Sequence, residues 1–561
     1  MQLGRIVVSG PLHRSGVAAI DKFDFIIVGA GSAGCILAER LSGDPQKRVL
    51  LLEAGGDDAR FWIRTPIGYG KTFFDASLNW KYSTEPDPGT GGRISYWPRG
   101  KVLGGSGSIN AMVYHRGLAV DYDDWRDAGN PGWGWSDVEP TYRSLEHRVD
   151  ADGSVQGHGP LWVTNREREY HGIKHHFLDA AREIGLPFTS DFNGDSPEGV
   201  GAYAITTRKG LRWTSADAFL RPAMRRPNLI VRTHALALRI VFQGRRAAGV
   251  EYTCGNRLVQ AFANSEVLVC AGAVNSPQLL QLSGIGPGRL LHDLGIPVVH
   301  DNPAVGGALH DHLGINYLYR STEATLNGVL GSWAGRLGAG IQFLLQRKGP
   351  LSLSINQMGG MVRASKASAQ PDVQLYFSPI SYSTEYAGER RLLRPDPYPG
   401  FIIGFNGCRP TSTGRIDIAS PDPREPPRIV PNYLSTDEDV RSALAGARLV
   451  GRLERSAAMR KLIAGGSALD LSSAADKFVL EDFRQRCGTV YHPCGTCAMR
   501  PEGDRGVVDP QLRAYGIDGL RVVDASVFPD ITSANTNAPT MMVACKAAGF
   551  IANRQQEIRS P

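Results

Sequence analysis

This sequence of 561 residues lacks the features that mark several other classes of protein. No apolar run reaches the roughly 18 residues that a membrane-spanning helix needs, so we expect no transmembrane segment. Lys and Arg are scattered without a run of five, and the net charge of +7 then indicates a mildly basic surface rather than a nucleic-acid-binding protein. Gly10, Pro11 and Gly16 interrupt the first apolar stretches, which argues against a secretory signal and predicts a flexible extension over residues 1–19.

Cysteine is sparse, at eight residues, and the single CxxC motif, Cys494 to Cys497, has no second copy. A structural zinc site needs four ligands, so zinc binding or redox exchange at this pair is the weaker interpretation and no metal is predicted. In so long a chain, cysteines in apolar or tight segments indicate reduced, buried thiols. We therefore expect a cytoplasmic location, with a peripheral membrane contact left open.

Glycine, in contrast, is abundant, at 66 residues, and no short repeat accounts for it. Tight turns and close approaches of the backbone to a ligand are the usual reason for so many glycines. The composition, with 42% hydrophobic and 21% charged residues, is typical of a soluble globular protein. Because 561 residues exceed what one hydrophobic core normally serves, we expect two domains or more.

The first motif stands close to the N-terminus. An apolar run over Phe23 to Val28 predicts a buried parallel strand, and the glycine-rich turn Gly29 to Gly34 follows it at once. A helix is predicted over Cys35 to Leu41, and a second apolar strand over Arg48 to Leu52. This order of strand, glycines, helix and strand is the fingerprint of dinucleotide binding, although it does not separate FAD from NAD.

Each glycine of this fingerprint has a physical reason. Gly29 permits the tight turn, Gly31 lets the backbone approach a pyrophosphate, and Gly34 lets helix and strand pack closely. The helix N-terminus offers free N–H groups to the phosphates. Glu53, nineteen residues after Gly34, is placed to accept hydrogen bonds from ribose hydroxyls. The cofactor-binding residues predicted here are Gly29, Gly31, Ser32, Ala33, Gly34, Glu53 and Ala54.

Two further glycine-rich segments follow. Gly100 to Asn110 predicts a loop whose N–H groups can face a flat ring or a phosphate. Gly272 to Gly286 follows a predicted strand over Glu266 to Cys270. In this third segment we expect a helix with Pro277 in its first turn and Ser276 as its N-cap, ending at Gly284.

The C-terminal part of the chain carries one more polar motif. Tyr491 to Cys497 holds a histidine before a Pro-x-Gly-Thr sequence, and a short strand over Leu520 to Val523 precedes Asp524. The polar stretch Ser533 to Thr540 then leads into a helix predicted from about Met541 to Ala552.

In this order, these segments resemble the signature segments of the glucose–methanol–choline (GMC) oxidoreductases over roughly residues 22 to 555. The stretches around Asn79-Trp80, Trp97 to Arg116 and Val507 to Pro529 are most similar to the bacterial choline-dehydrogenase and alcohol-dehydrogenase branch. The resemblance implies an FAD-dependent enzyme that oxidises an alcohol (CH–OH) to an aldehyde or ketone by hydride transfer to flavin N5. Electrons would then pass to a quinone or another carrier, or to oxygen.

The resemblance also implies which residues meet the flavin. Ala237 would meet the adenine side through its backbone, and Asp524, Ala525 and Asn537 would touch the flavin or its ribityl chain. The residues implied to line the flavin are Val102, Gly105, Asn110, Ala111, Met112 and Val113. Some members of the family tether FAD through a histidine near the second segment. Since Trp97 to Lys101 contain no histidine, we expect non-covalent FAD.

Alcohol oxidation needs a base for the hydroxyl proton and a polar group that holds the same oxygen while charge develops on it. Histidine suits the base because its pKa lies near neutral pH. The resemblance assigns these two roles to His492 and Asn535. His310 and His312 match a family segment that is mainly structural, and we expect both outside the active site.

The substrate is less well defined. Choline-oxidising members hold the trimethylammonium with a carboxylate and aromatic rings, and Gln357 falls where many relatives carry an acid. This disfavours choline, unless Gln357 and Met358 are ordinary core or surface residues. A neutral primary alcohol, aliphatic or aryl, is the expected small-molecule substrate, and a sugar or polyol stays open. The alternatives are a non-redox FAD-containing lyase, a light-driven fatty-acid decarboxylase, against which His492 argues, and a flavin-binding protein without catalysis.

The motifs that share one flavin are hundreds of residues apart, so the fold is expected to be α/β with a discontinuous Rossmann-like FAD-binding domain. That domain is assigned residues 20–160, 200–315 and 480–555. The substrate-binding domain is assigned residues 161–199 and 316–479, with predicted strands at Val373 to Phe377 and Gly400 to Phe405 and a helix at Ser435 to Leu453. By resemblance it is an α+β domain with an antiparallel sheet.

Overall fold

A computed structural model of the chain describes residues 21–255, 257–365, 367–382, 394–466 and 469–559. The extension predicted over residues 1–19 lies outside these ranges. The strands are β1 (Asp21–Val28), β2 (Val49–Leu52), β3 (Tyr82–Ser83), β4 (Tyr96–Trp97), β5 (Glu146–Val149), β6 (Val155–Gln156), β7 (Leu161–Thr164), β8 (Gly199–Ala202), β9 (Thr207–Arg208), β10 (Leu211–Arg212), β11 (Leu229–Arg232), β12 (Ala235–Gln243), β13 (Arg246–Cys254), β14 (Arg257–Val269), β15 (Ile285–Gly286), β16 (His300–Asp301), β17 (Leu313–Ser321), β18 (Met358–Val362), β19 (Val373–Ser378), β20 (Gly400–Gly407), β21 (Arg415–Asp417), β22 (Arg428–Val430), β23 (Ile463–Gly465), β24 (Gly488–Thr489) and β25 (Leu520–Val522).

The helices run between these strands and, as α15, at the carboxyl end of the described chain. They are α1 (Ser32–Leu41), α2 (Phe61–Arg64), α3 (Tyr69–Thr72), α4 (Ala119–Asp127), α5 (Trp135–Leu145), α6 (Lys174–Glu183), α7 (Arg221–Ala223), α8 (Gly272–Leu282), α9 (Gly288–Asp293), α10 (Leu326–Gly331), α11 (Trp333–Gln346), α12 (Asp437–Arg455), α13 (Ala457–Leu462), α14 (Asp476–Arg486) and α15 (Asn537–Arg559). Across the described ranges, no helix is both long and apolar enough to cross a membrane.

The first large sheet has the order β11-β2-β1-β14-β13-β12, with β25 beside the carboxyl-terminal part of β14. Strands β11, β2, β1, β14 and β25 are parallel, and β13 and β12 join them as an antiparallel ribbon. All four residues of β2 are buried, as the continuous apolar run of a strand covered on both faces requires. The sheet therefore matches the Rossmann-like arrangement predicted for the dinucleotide fingerprint.

The second large sheet is antiparallel, with the order β23-β17-β20-β19-β18-β8 and β24 beside β17. Helix α12 packs against β20, and its N-cap Thr436 accepts a hydrogen bond from the N–H of Asp439. The expected α/β class with a second, antiparallel sheet is thereby confirmed. The second sheet also takes strands from segments that were assigned to the FAD-binding domain. Strand β24 and all but the first residue of β8 fall within residues 480–555 and 200–315, yet both strands belong to this sheet.

The helix of the third glycine segment differs from the prediction. It begins at Gly272, so Ser276 and Pro277 lie inside it rather than at its start. The cap comes from far along the chain, because Asp524 Oδ2 accepts a hydrogen bond from the Gly272 N–H at 2.8 Å. Proline has no N–H for the carbonyl four residues before it, and Thr496 Oγ1 donates to that Ala273 carbonyl at 2.7 Å instead.

Candidate active site

Four parallel strands end in register at one edge of the first sheet. Val28 pairs with Leu52 on one side and with Val269 on the other, and Val269 pairs with Val522. Ligands of open α/β sheets bind outside the carboxyl ends of the strands, because the loops that follow converge there. The loops after these strands carry the fingerprint glycines, Glu53, the start of α8 and Asp524.

The glycine turn after β1 leaves no room for side chains at two of its positions. A Cβ on Gly29, whose φ is +100°, would lie 2.5 Å from the carbonyl oxygen of Cys270, and a Cβ on Gly34 would lie 1.9 Å from the oxygen of Gly29. Gly31 is different, since the nearest atom to its Cβ would be the Cα of Gly105, 3.9 Å away. A side chain on Gly31 would therefore stand in open space, where the fingerprint predicts a pyrophosphate.

Glu53 closes this turn from the end of β2. Its Oε2 accepts the N–H of Ala30 at 2.9 Å, and its Oε1 accepts the N–H of Gly55 at 2.8 Å. Burial raises the pKa of the Glu53 carboxyl to about 7, against the opposing effect of these two bonds and of Lys101. The carboxylate thus holds the glycine turn as well as standing at the predicted ribose position.

The second glycine loop is held by a residue that the sequence interpretation did not single out. Arg212 is fully buried and donates to the backbone oxygen of Asn110 at 2.7 Å and to Asn110 Oδ1 at 2.8 Å. Asn110 Oδ1 also accepts the N–H of Met112 at 3.0 Å, which fixes the left-handed backbone of Met112 at a φ of 65°. Burial lowers the pKa of Arg212 to about 9.

One large cavity of about 960 Å³ connects these loops to the second sheet. It runs from the backbone of Ala237 past the glycine turns to His492 and Asn535. The other predicted residues that line it are Gly29, Gly31, Ser32, Ala33, Glu53, Ala54, Gly105, Asn110, Ala111, Met112, Val113, Asp524, Ala525 and Asn537. Ser32 Oγ also donates to Asn537 Oδ1 at 2.6 Å, which ties the start of α1 to the start of α15.

Two predicted cofactor residues do not line this cavity. Gly34 packs against the oxygen of Gly29, in agreement with the packing reason given for it. For Val102, the expectation that it lines the flavin needs a correction. Its side chain is fully buried in a small cluster with Ile63 and Leu78. A backbone bridge between Gly56 and Val102 places that side chain behind the loop, away from the cavity.

At the far end of the cavity, His492 and Asn535 are in direct contact. His492 Nε2 lies 3.0 Å from Asn535 Nδ2, and the two residues are 43 positions apart in the chain. Asn535 Oδ1 lies 3.3 Å from Gln374 Nε2, and Gln374 Oε1 accepts the hydroxyl of Tyr376 at 2.7 Å. The loop before α15 and strand β19 of the second sheet therefore meet at this pair.

The other ring nitrogen of His492 contacts a second buried histidine. His492 Nδ1 lies 2.9 Å from His312 Nδ1, and His312 Nε2 lies 2.8 Å from the carbonyl oxygen of Cys408. Burial is the main reason that the pKa of His492 is well below the ordinary value and that the pKa of His312 is lowered to about 4. Both rings are therefore neutral near pH 7.

These contacts determine the tautomer of His492. A carbonyl only accepts, so His312 Nε2 carries the proton and donates to Cys408, which leaves His312 Nδ1 as an acceptor. His492 Nδ1 must then donate to His312, and His492 Nε2 is left with a free lone pair. Asn535 Nδ2 donates to this lone pair, so every donor in the chain of bonds meets an acceptor.

The backbone around His492 is also held. Its N–H donates to Asp311 Oδ1 at 2.8 Å, and Asp311 Oδ2 accepts the hydroxyl of Tyr433 at 2.5 Å. Tyr491 adopts a left-handed φ of 72°, and Arg99 donates to its carbonyl at 2.8 Å. Strain of this kind persists where the surrounding contacts over-determine a conformation, as they do beside this histidine.

The expectation that His310 and His312 lie outside the active site needs a correction for His312 alone. Both are buried, and neither lines the cavity, but His312 forms a direct hydrogen bond with His492. Pairing of β17 with β24 brings the two rings together, since Val490 N–H donates to the carbonyl of His312 at 3.0 Å. Local sequence around His312 carries no signal for this contact, because the partner is 180 residues away.

Gln357 and Met358 prove to be core residues, which was the alternative left open. Gln357 is buried, and its Oε1 accepts the N–H of His171 at 2.8 Å. Met358 is buried in the second sheet, and neither residue lines the cavity. The substitution of Gln357 for an acid therefore carries no information about the substrate.

A comparison with known families agrees with this geometry. The family model described as GMC oxidoreductase matches in two parts, an N-terminal part over residues 23–314 and a C-terminal part over residues 410–544. The chain belongs to the GMC oxidoreductases. Similar proteins support the assignment along most of the chain, including an alcohol dehydrogenase [acceptor] of Pseudomonas putida, which is 40% identical over 95% of this chain and 96% of its own length.

Two other relatives of this GMC oxidoreductase are similar over most of their length. Mitochondrial choline dehydrogenase of Mus musculus is 39% identical over 95% of this chain and 89% of its own. The crystal structure of pyridoxine 4-oxidase from Mesorbium loti superposes with a TM-score of 0.83 at 30% identity, over 95% of this chain and 99% of that one. The predictions of an enzyme and of an oxidoreductase acting on CH–OH groups are thereby confirmed at the level of the family.

Family membership also confirms FAD as the cofactor of this GMC oxidoreductase. The residues present fit a dinucleotide of that length. A Cβ on Gly31, which lines the cavity, would have no protein atom closer than 3.9 Å, so the backbone there is open to a ligand. A Cβ on Gly105 would lie 2.7 Å from the Gly31 Cα, so the two glycine loops pack backbone against backbone at this point. The N-termini of α1 and α15 both open onto the same space, so their free N–H groups face it.

Proposed function

We propose that this GMC oxidoreductase oxidises a neutral primary alcohol to the aldehyde, with His492 as the base. The observation that carries the proposal is the direction of the hydrogen bonds around His492, which leaves Nε2 as the acceptor that faces the cavity. Asn535 Nδ2 lies 3.0 Å from that nitrogen. A substrate hydroxyl inserted between the two would replace this hydrogen bond, donating to His492 Nε2 and accepting from Asn535 Nδ2.

The chemistry then divides between cofactor and protein. Bound FAD supplies the hydride acceptor, flavin N5. His492 Nε2 takes the hydroxyl proton of the alcohol, and Asn535 Nδ2 donates a hydrogen bond to the oxygen as negative charge develops on it. His312 Nδ1 accepts the other N–H of the protonated His492 ring, so the cation has a fixed partner at 2.9 Å. The alcohol loses one proton and one hydride, and an aldehyde remains.

The proposal includes non-covalent FAD held by the predicted cofactor residues that line the cavity. Pro98, Arg99 and Gly100 also line it, and none of them carries a nucleophile that forms a flavin bond. Denaturation should therefore release all of the flavin into solution.

The charges at the substrate end favour a neutral substrate. Among the described residues that line the cavity, the carboxylates are Glu53 and Asp524, and both already accept two or more hydrogen bonds at the end of the first sheet. Arg99, Arg394 and Arg486 line the cavity as cations. At this end of the cavity a quaternary ammonium would meet aromatic rings but no free carboxylate among the described residues. The charges of the cavity therefore disfavour choline as the substrate.

Apolar side chains form much of the wall near His492. Phe73, Ile315, Ile355 and Ile402 all line the cavity, and Tyr376 extends this wall from the second sheet. Such a wall suits an aliphatic or aryl alcohol better than a sugar, whose hydroxyls would lose their hydrogen bonds to water. For the electron acceptor we favour a quinone or another carrier, in line with the relative named alcohol dehydrogenase [acceptor].

The test is reduction of the bound flavin without oxygen. The purified holoenzyme is mixed with aliphatic, aryl and sugar alcohols and with choline, and the flavin absorbance is followed. Bleaching by a neutral primary alcohol, with release of the aldehyde, supports the proposal. Bleaching by choline alone would overturn the substrate class. Cleavage of a cyanohydrin, or decarboxylation of a fatty acid only under light, in the absence of any bleaching would support the lyase or the light-driven alternative.

Addition of oxygen or of a short-chain quinone to the reduced enzyme then identifies the acceptor. Rapid reoxidation by the quinone and slow reoxidation by oxygen would support a dehydrogenase. The reverse order would assign the protein as an oxidase.

A further inference from the structure

Helix α11 presents its apolar side chains to solvent. Ala339 and Phe343 are its buried residues, and the large side chains on the other side are exposed. The exposed fractions are 74% for Trp333, 49% for Leu337, 50% for Ile341, 59% for Leu344 and 79% for Leu345. At about 100° per residue these five positions fall within roughly a third of the helix circumference, opposite Ala339 and Phe343.

A second exposed apolar pair lies on helix α2, which packs against α11. Phe61 and Trp62 at the start of α2 are exposed by 49% and 43%. The ring of Phe61 lies 6.3 Å from that of Phe343 and 5.0 Å from that of Trp62. We call Phe61, Trp62, Trp333, Leu337, Ile341, Leu344 and Leu345 together the α11 face. Single exposed apolar residues are ordinary on a soluble protein, whereas seven on two helices that contact each other mark an interaction surface.

The charge along the chain segment that contains α11 has one sign. The sequence from Ala324 to Pro371 contains no Asp or Glu, and its charged residues are Arg336, Arg347, Lys348, Arg363 and Lys366. Arg336, Arg347 and Lys348 are exposed, and none forms an ion pair with another described residue. Lys209 is exposed next to Gly210, where an added Cβ would lie 2.0 Å from the carbonyl oxygen of Arg347. A cationic cluster therefore stands at the carboxyl end of α11.

We propose that the α11 face docks the enzyme onto the surface of an anionic lipid bilayer. A helix that lies in the membrane interface has Trp, Phe and Leu on one face and Lys or Arg at its borders, as α11 does. Anionic lipid headgroups supply the negative charge that complements this border. A second copy of the chain would bring the same cations against each other, which disfavours self-association through this face.

The α11 face lies beside the apolar wall of the active-site cavity. Helix α10, directly before α11, places Leu326 in a buried cluster with Tyr69, Phe73 and Ile355, and the last three line the cavity. Docking through α11 would therefore hold this wall close to the lipid. An apolar alcohol or a quinone dissolved in the membrane would then reach the cavity without crossing bulk water. This consequence rests on the proposed function, whereas docking of the α11 face does not.

The test is co-sedimentation of the holoenzyme with vesicles of phosphatidylcholine, with and without phosphatidylglycerol. We expect the wild-type protein to bind the phosphatidylglycerol vesicles. The double variant Leu344→Glu/Leu345→Glu should bind at least about 10-fold more weakly, because two carboxylates would enter the interface. The matched control, Val298→Glu/Phe478→Glu, adds the same charge at exposed apolar residues elsewhere and should bind like wild type.

A charge variant separates the two contributions. Arg336→Glu/Lys348→Glu should lower binding to phosphatidylglycerol vesicles by about fivefold or more per residue and leave weak binding to pure phosphatidylcholine unchanged. Tryptophan fluorescence should shift to shorter wavelength when vesicles are added, and Trp333→Phe should reduce that shift. Flavin content and activity with a water-soluble alcohol should be unchanged in all of these variants.

Two results would overturn the proposal. One is equal vesicle binding by wild type, the Leu344→Glu/Leu345→Glu variant and the control. The other is a dimer in sedimentation velocity that becomes monomeric in Leu344→Glu/Leu345→Glu, with no vesicle binding by wild type, since the α11 face would then be an interface between two copies.

Discussion

His312 and His492 share a hydrogen bond between their Nδ1 atoms, 2.9 Å apart, although 180 residues separate them. The bond exists because β17 and β24 are neighbours in the second sheet, Leu313 opposite Thr489. Its direction is set at the far end of His312, where the Cys408 carbonyl can only accept a hydrogen bond from Nε2. A residue that does not line the cavity therefore determines which nitrogen of His492 is free to act as a base.

Loss of His312 should slow catalysis without loss of the cofactor. In His312→Ala the Nδ1 proton of His492 has no partner, so the ring can rotate or change tautomer. We expect flavin reduction to slow by at least about 10-fold, with kcat affected more than KM. Stopped-flow absorbance with a saturating alcohol measures this rate.

The conservative variant His312→Gln serves as the control. An amide offers one donor for the Cys408 carbonyl and one acceptor for His492, so it should recover part of the lost rate. Equal rates in the alanine and glutamine variants would show that His312 acts by packing alone.

Removal of the proposed base has a larger effect. His492→Ala should keep FAD bound and slow flavin reduction by at least about 100-fold, as expected for loss of a general base. Flavin absorbance of the purified variant reports retention, and anaerobic stopped flow reports the rate. Near wild-type reduction would remove His492 from the mechanism.

The pH profile follows from the environment of His492. Burial, and after it the nearby His312 and Arg99, lower the pKa of His492 well below the ordinary value. A lowered pKa keeps Nε2 unprotonated, and thus competent as a base, across the neutral range. Flavin reduction should stay constant from about pH 8 down through the ordinary histidine pKa of about 6.5 and decline only below it. An inflection at or above that value, absent from His492→Ala, would contradict the assignment.

Two glycines of the fingerprint should behave differently when substituted. A side chain on Gly31 meets no protein atom closer than 3.9 Å, so Gly31→Val should fold and yet fail to bind FAD. A Cβ on Gly34 would lie 1.9 Å from the oxygen of Gly29, so Gly34→Ala should lower the melting temperature of the apoprotein. Circular dichroism and the ratio of flavin to protein absorbance separate the two outcomes. A yellow, active Gly31→Val protein would mean that the pyrophosphate lies elsewhere.

The helix that contains Pro277 offers a test of folding energetics. Thr496→Val leaves the Ala273 carbonyl buried without a donor, and we expect a loss of about 1–3 kcal/mol in the free energy of unfolding. In a Pro277→Ala background the new N–H can reach that carbonyl, so the same substitution should cost less. Denaturant titration of wild type, Thr496→Val, Pro277→Ala and the double variant gives the coupling free energy between the two positions.

Thr65→Val is the matched control for that substitution. Thr65 Oγ1 also donates to a helix carbonyl, that of Phe61 at 2.8 Å, but the N–H of Thr65 donates to the same oxygen at 2.9 Å. The carbonyl keeps a partner in this variant. If Thr65→Val lowered the free energy of unfolding as much as Thr496→Val, the loss of stability would come from the missing hydroxyl rather than from an unsatisfied carbonyl.

Sequence alone determined the parts of this protein whose physical cause is local. The turn from Gly29 to Gly34 needs its glycines because helix and strand pack within one short segment. The apolar run of β2 and the ends of α1 and α8 follow from neighbouring residues in the same way. The family signatures, His492 and Asn535 among them, are also contiguous in sequence, so they could be found without a structure.

Tertiary structure decided everything that depends on bonds between distant segments. The start of α8 is set by Asp524 and Thr496, more than 200 residues away, so its own residues Ser276 and Pro277 misled the prediction. The contact of His312 with His492 depends on strand pairing, which local sequence does not specify. Burial likewise assigned Gln357 to the core and the leucines of α11 to the surface, because apolar character alone does not say which side of an element the rest of the protein covers.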